Sequence, residues 1–410
     1  MKSDPSAMQH PKPQSHAQAG SPDGSARDTL ADALRGFALL GIIVVNAPFI
    51  GISSNGFTDA SLLSVPDRVA AFAVVAFAQA KFYLLFSFLF GYSMSYVLKE
   101  NTRAQRRAYR RRLFGLAFLG LAHGALFYAG DILLLYALLG TVMLVLSSRS
   151  DQTVLGSAAV CALLWGLSLL ALALSTTEDA AANRAWQAYV MQIDKSLATG
   201  SFWEAVGARM RLWPFAQFTI LVLNGLAVLG LFCIGLVAGR HQCLRRPHAY
   251  ETWWRRGIWL GLLVGLPGAL ISAVGLLASG QSVEGQSPQQ MGALAVGFVT
   301  APALSAGYVS VIAMIHIRKP AWLALFRPAG RMSLTCYLSE SVLLAALFCG
   351  FGLGLMGQWG AAAVTAAAVG VWLVIDLAAY GWQRYARRGP AEGLLHWWTV
   401  GRTGCGATDA

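Results

Sequence analysis

The chain has 410 residues, of which 56% are hydrophobic and only 12% charged, with a formal charge of +12 and a mean hydropathy of +0.55. Soluble domains carry about 25% charged residues, so this apolar surplus excludes an ordinary soluble enzyme and calls for surfaces that face lipid. The basic residues stand beside apolar runs rather than on one module, which excludes nucleic acid as the partner and favours anionic lipid headgroups and cytosolic phosphates.

In chain order, residues 1–30 open with MKSDPSAMQHPKPQSHAQAGSPDGSARD. The stretch is rich in Pro, Ser, Gln and Gly, and it reads as a disordered cytoplasmic tail rather than a cleaved signal peptide. A transmembrane domain of helices follows over 31–390, and a cytoplasmic C-terminal tail over 391–410. With about 20 apolar residues per crossing, ten spans are expected near 33–52, 71–98, 113–128, 131–147, 153–175, 215–239, 257–279, 291–316, 332–353 and 360–383. The fold class is therefore an all-α polytopic bundle.

Orientation follows from charge. The connection KENTRAQRRAYRRR carries seven basic residues and must be cytoplasmic. That places both termini inside and forces every later loop. Of the 31 Lys and Arg residues, only Arg68, Arg184, Lys195, Arg209 and Arg211 fall in connections on the opposite side. One of those connections, 176–214, carries Trp186, Tyr189, Val190 and Ile193, then Trp203, Val206, Met210 and Trp213, at helical spacing. Two amphipathic helices, lying on the outer leaflet or capping the bundle, are expected there. Spans five to eight read as scaffold or lipid-facing wall.

An ionisable side chain at bilayer depth is expensive unless paired or hydrated, so each one is a functional candidate. The first span sets Asp32 and Arg35 on one helix face at its cytoplasmic end, with Asn46 about three turns above Arg35, roughly 16 Å along the axis. Lys81 lies deep in the second span and calls for a carboxylate or water beside it. In GLAHGALFYAGDILLLYALLG, a hairpin at Ala129 and Gly130 would bring Asp131 towards His123. A carboxylate that orients a histidine, with a lysine nearby, can serve as a general base or a proton relay. The ninth span adds Tyr337 and Glu340, and the tenth Asp376.

Taken together, ADALRGFALLGIIVVNAPF, AKFYLLFSFLFGYSMSY, RRLFGLAFLGLAHGALFYAGDILLLYALLG, GRMSLTCYLSES and RGPAEGLLHWWTVGR resemble the YeiB-type bacterial membrane proteins that carry domain of unknown function 418. The resemblance runs from about residue 30 to 402 and implies a location in the bacterial cytoplasmic (inner) membrane. The first span is also similar to that of membrane acyltransferases that modify glycans, which carry a cytoplasmic Arg with a polar residue about three turns above it. In the bacterial O-acetyltransferases that residue is a catalytic histidine, and here it is Asn46.

That similarity implies transfer of an acyl group from cytoplasmic acyl-CoA to an extracytoplasmic sugar or lipid hydroxyl. Arg35, Arg111, Arg112, Arg327 and Arg331 would hold the donor phosphates. His123, oriented by Asp131 with Lys81 nearby, would be the base, and Asn46 would stabilise the carbonyl oxygen. Asp32, Tyr337 and Glu340 would lie along the substrate path. No permanently bound cofactor and no metal site are expected, because the six cysteines show no CxxC spacing. The partners would be membrane lipids, acyl-CoA and a glycan or lipid acceptor. Two alternatives stay open: a transporter whose path is lined by Lys81, His123, Asp131 and Glu340, and a non-catalytic membrane partner protein. The oligomeric state is open too.

Overall fold

A computed structural model describes residues 28–175, 180–277 and 288–400. Most of the expected N-terminal tail, the connection 278–287 and residues 401–410 lie outside the described residues. The described chain is helical, with no strand.

Helix α1 (Thr29–Gly51) begins inside the expected tail, because Asp28 caps it by accepting the Ala31 N–H at 3.0 Å and Leu30 is already buried. The next span is broken rather than single. Helix α2 (Val65–Ala73) widens into a π turn over Val74–Ala78, Ala80 adopts φ +70°, and α3 (Lys81–Val97) continues. A non-glycine residue in the left-handed region marks a real discontinuity.

The basic connection KENTRAQRRAYRRR is mostly helix, not loop. Thr102 and Gln105 form a reciprocal capping box, so α4 (Arg103–Leu126) starts about three turns before the apolar run does. A turn at 127–132 then leads into α5 (Leu133–Leu146).

Helix α6 (Asp151–Ser175) is followed by α7 (Ala180–Thr199), which Asp194 ties to the end of α1 by accepting from Ser53 Oγ at 2.6 Å and from the Ser54 N–H at 2.9 Å. The second expected amphipathic helix is not separate. Ser201 and Glu204 cap a continuous 39-residue α8 (Phe202–Arg240), which carries Trp203 to Trp213 straight into the apolar span through Pro214. Helices α3 and α8 approach closely along glycine: a methyl on Gly235 would overlap the Phe88 carbonyl, and one on Gly91 the Phe232 carbonyl.

A second π turn, Gly261–Gly265, joins α9 (Glu251–Leu260) to α10 (Leu266–Leu277), and both pack on α11 (Pro288–Arg318). The short α12 (Arg327–Arg331) meets α13 (Ser333–Phe348) with a bend of 78° between the flanking segments. Asp376 on α14 (Ala361–Trp382) accepts the Ala329 N–H at 2.8 Å and so helps to hold α12 in place. The amphipathic α15 (Pro390–Val400) lies against α4 and α13.

Among the described residues, seven helical segments are long and apolar enough to cross a membrane, and the bent α12–α13 pair makes an eighth. Helix α5 has only 14 residues, and the first half of α4 is basic, so neither qualifies by length and composition. The outward faces of α4, α6, α10 and α14 expose large apolar side chains such as Phe114, Leu163, Ile271 and Leu377. This is a multi-pass membrane protein.

Candidate functional site: a column of cavities

The turn between α4 and α5 does more than reverse the chain. Asp131 Oδ1 accepts the Leu133 N–H at 2.8 Å, which satisfies a donor at the start of α5, while Oδ2 lies 2.7 Å from His123 Nδ1 and accepts from the Tyr337 hydroxyl at 3.1 Å. One buried carboxylate therefore ties α4, α5 and α13 together. It also fixes the imidazole, since a carboxylate facing Nδ1 holds a proton there and leaves Nε2 with its lone pair. Nε2 is buried with no hydrogen-bond partner among the described residues.

Three cavities adjoin along the bundle. The first, about 130 Å³ at the end near the basic connections, is lined by Arg35, Ser93, Arg112 and Glu392. It shares Ile42, Ile132, Tyr136 and Tyr337 with a middle cavity of about 150 Å³. The middle cavity shares Phe49, Tyr128, Gly130 and Ile220 with a third, of about 370 Å³, at the opposite end. With these walls in common, the three cavities form a column in series along the bundle.

The middle cavity is dotted with polar groups. Asn46 Oδ1 accepts from the Tyr128 hydroxyl at 3.3 Å, and Tyr136 Oη bonds Ser87 Oγ at 2.7 Å. The Tyr83 hydroxyl and Asn224 Oδ1 are buried with no partner in the described structure. Buried polar atoms left unbonded are costly, and native proteins keep few of them without a use.

The sequence candidates divide into two groups. Arg35, Arg112, Asn46 and Tyr337 line the column. Arg35 also donates to Asp32 at 3.0 Å and to Ser93 Oγ at 2.8 Å, so Asp32 positions it. His123 and Asp131 meet as the hairpin geometry required, but neither lines these cavities, and they reach the column through Tyr337. Cys336, one residue before Tyr337, is buried on α13 and lines none of the three.

The remaining candidates lie elsewhere. Lys81 does not join His123. Its ammonium donates to the Val75 carbonyl at the π turn, 3.1 Å away, and not to a carboxylate. Glu340 is buried with neither oxygen bonded among the described residues, and it lines none of the three cavities. Arg111 is exposed, Arg327 donates to the Pro320 carbonyl, and Arg331 lies 3.7 Å from Asp32, so none of these three lines the column.

Other groups in the column escape a residue-by-residue reading. Asn224 sits in an otherwise apolar LVLNGLAV, and that isolation is a signal. Its presence, with Thr219 and Arg209, corrects the expectation that spans five to eight are wall alone, since α8 lines two of the three cavities. Glu392, on α15, accepts from the Leu334 N–H at 2.7 Å and from Thr335, and so caps α13 while facing Arg35 and Arg112 across the cavity.

Residues 238–402, which carry the end of α8 through α15, match the family described as "Protein of unknown function (DUF418)". That match covers 165 of the 410 residues, so the C-terminal part of the chain is similar to this family. It is 29% identical over 395 residues to "Uncharacterized protein YxaH" of Bacillus subtilis (strain 168), covering 88% of this chain and 92% of that protein. It is 27% identical over 391 residues to "Uncharacterized protein YeiB" of Escherichia coli (strain K12), covering 92% and 97%. No solved structure matches. The YeiB-type resemblance thus stands, and none of these descriptions names an activity.

Proposed function

We propose that this protein transfers an acyl group from cytoplasmic acyl-CoA to a sugar or lipid hydroxyl on the far side of the bacterial cytoplasmic membrane. One observation carries the reading: three adjoining cavities lie in series between a pair of guanidiniums at the basic end and a larger chamber at the other. By the positive-inside rule the basic end is cytoplasmic, α4 and α5 complete the crossing as a hairpin, and ten spans leave both termini inside.

Arg35 and Arg112 hold the donor phosphates, for which forked guanidiniums are suited. The thioester lies at mid-column, where the amides of Asn46 and Asn224 are placed to donate to its carbonyl oxygen. Attack by the acceptor hydroxyl forms the new C–O bond and breaks the C–S bond. The hydroxyl proton passes to Tyr337 Oη as Tyr337 gives its own to Asp131 Oδ2, and the same route then returns a proton to the departing CoA thiolate, which leaves as the thiol and restores the Asp131 carboxylate. His123 holds Asp131 in place and is a positioning residue in this scheme, because it faces no cavity.

Transport is the second reading, favoured by the same absence of a histidine from the walls and by the serial arrangement of the three cavities. The test is binding of acetyl-CoA and CoA to the purified protein in nanodiscs. Saturable binding is expected, weakened about tenfold or more by Arg35→Ala, since a charge-assisted hydrogen bond is worth about 1.5–3 kcal/mol. Tyr337→Phe should leave binding intact and remove turnover. No binding of either compound would sink acyl transfer and leave transport, which a flux assay reads.

A further inference from the structure

The chamber at the end opposite the basic connections contains a charge that nothing in the described protein neutralises. Arg209, on α8, is only 3% exposed. It donates to the Leu126 carbonyl at 2.7 Å and to Cys349 Sγ at 3.1 Å, and its guanidinium lies 5.7 Å from the Phe351 ring centroid. Among the described residues it has no carboxylate within ion-pair distance. Arginine stays protonated in proteins, so it cannot escape burial by losing its charge. A buried guanidinium without a counter-ion is destabilising by several kcal/mol, and such a group is kept where an anion comes to it.

The space it faces is about 370 Å³ and is walled mainly by apolar side chains, among them Phe127, Trp186, Leu212, Phe215 and Ile220, with Ser54, Asn55, Tyr128 and Thr219 as polar groups. That size falls in the range of about 300–1,000 Å³ usual for small-molecule sites. A free inorganic anion would satisfy Arg209 but would exchange most of its hydration for walls that are largely aromatic and aliphatic. A neutral alkyl chain would satisfy the walls but leave the guanidinium bare. Only a molecule with both features fits both constraints.

We infer that this chamber binds an amphiphile with one anionic head, a phosphate or carboxylate, placed on Arg209 and an apolar chain against the aromatic wall. The site depends on Arg209 and its cavity alone, and it holds whether the column carries out acyl transfer or transport. Helix α7 forms part of its rim: Trp186 Nε1 donates to Asn55 Oδ1 at 3.2 Å, and both residues line the chamber.

The experiment is equilibrium binding to the full chain in zwitterionic nanodiscs, with empty nanodiscs as the blank. Decyl phosphate is the probe, and decanol and inorganic phosphate are the two halves of it. Saturable binding of decyl phosphate is expected, with decanol and inorganic phosphate each at least about tenfold weaker. Arg209→Gln should erase the preference for decyl phosphate over decanol. Because that change could also unfold the site, Ala216→Trp is the second variant: Ala216 lines the chamber without bonding Arg209, and a bulky ring there should abolish binding in a folded protein. Equal binding of decanol overturns the role of the charge. Equal binding of inorganic phosphate overturns the role of the walls, and undiminished binding to Ala216→Trp overturns the location.

Discussion

Replacing Asp131 by alanine should reveal how much of this bundle hangs on one carboxylate. The side chain satisfies three buried donors at once: His123 Nδ1 at 2.7 Å, the Tyr337 hydroxyl at 3.1 Å and the Leu133 N–H at 2.8 Å. In soluble proteins each stranded buried donor costs about 1–3 kcal/mol. Hydrogen bonds between membrane helices average nearer 0.6 kcal/mol, with a ceiling near about 1.7, because the unfolded chain in the bilayer finds other partners. The Tyr337 hydroxyl can rotate and the imidazole can change tautomer, whereas the Leu133 N–H cannot move. Working from the membrane values, Asp131→Ala should cost about 2–4 kcal/mol.

Asp131→Asn separates polarity from charge. The amide oxygen still receives the Leu133 N–H, and the amide nitrogen can donate to His123 Nδ1 once the imidazole proton moves to Nε2. A loss of about 1 kcal/mol is expected. Reversible unfolding in mixed micelles, followed by circular dichroism, measures both. If the two variants lie within about 0.5 kcal/mol of each other, the carboxylate is not the shared acceptor, and the tie between α4, α5 and α13 is wrongly drawn.

Two further outcomes test other parts of the structure. Glu392→Ala removes the acceptor for the Leu334 and Thr335 donors at the start of α13, and a cap of this kind is worth about 1–2 kcal/mol. Limited proteolysis should then cut near α15 faster than in the parent, and an unchanged rate would show that α15 is held by its apolar face alone. Lys81→Met should leave the melting temperature equal or raise it, because a buried ammonium with one carbonyl partner recovers less than its desolvation costs. A loss of more than about 2 kcal/mol would mean that Lys81 has a partner that matters, and would restore it as a candidate for the path.

The sequence determined the helical membrane class of this protein and where most of its long apolar helices run, because both depend on terms that add along the chain. Apolar length sets where a crossing can occur, and the clustering of basic residues sets which connections share a side. Both are one-dimensional quantities. The meeting of His123 and Asp131 was legible for a similar reason: eight residues and a tight turn leave a hairpin little choice.

Tertiary structure alone decided what lies beside the long-range groups. Tyr337 comes to Asp131 across 206 positions, and Glu392 comes back across 57 to cap α13. No periodicity encodes such pairings, since they depend on how helices from distant parts of the chain pack. The same limit explains Lys81, whose partner is a backbone carbonyl released by a π turn, a local defect that hydropathy averages away. It explains Arg209 as well: its place in an amphipathic stretch suggested a surface helix, and only the continuation of α8 through Pro214 places that guanidinium, buried, in the wall of a chamber.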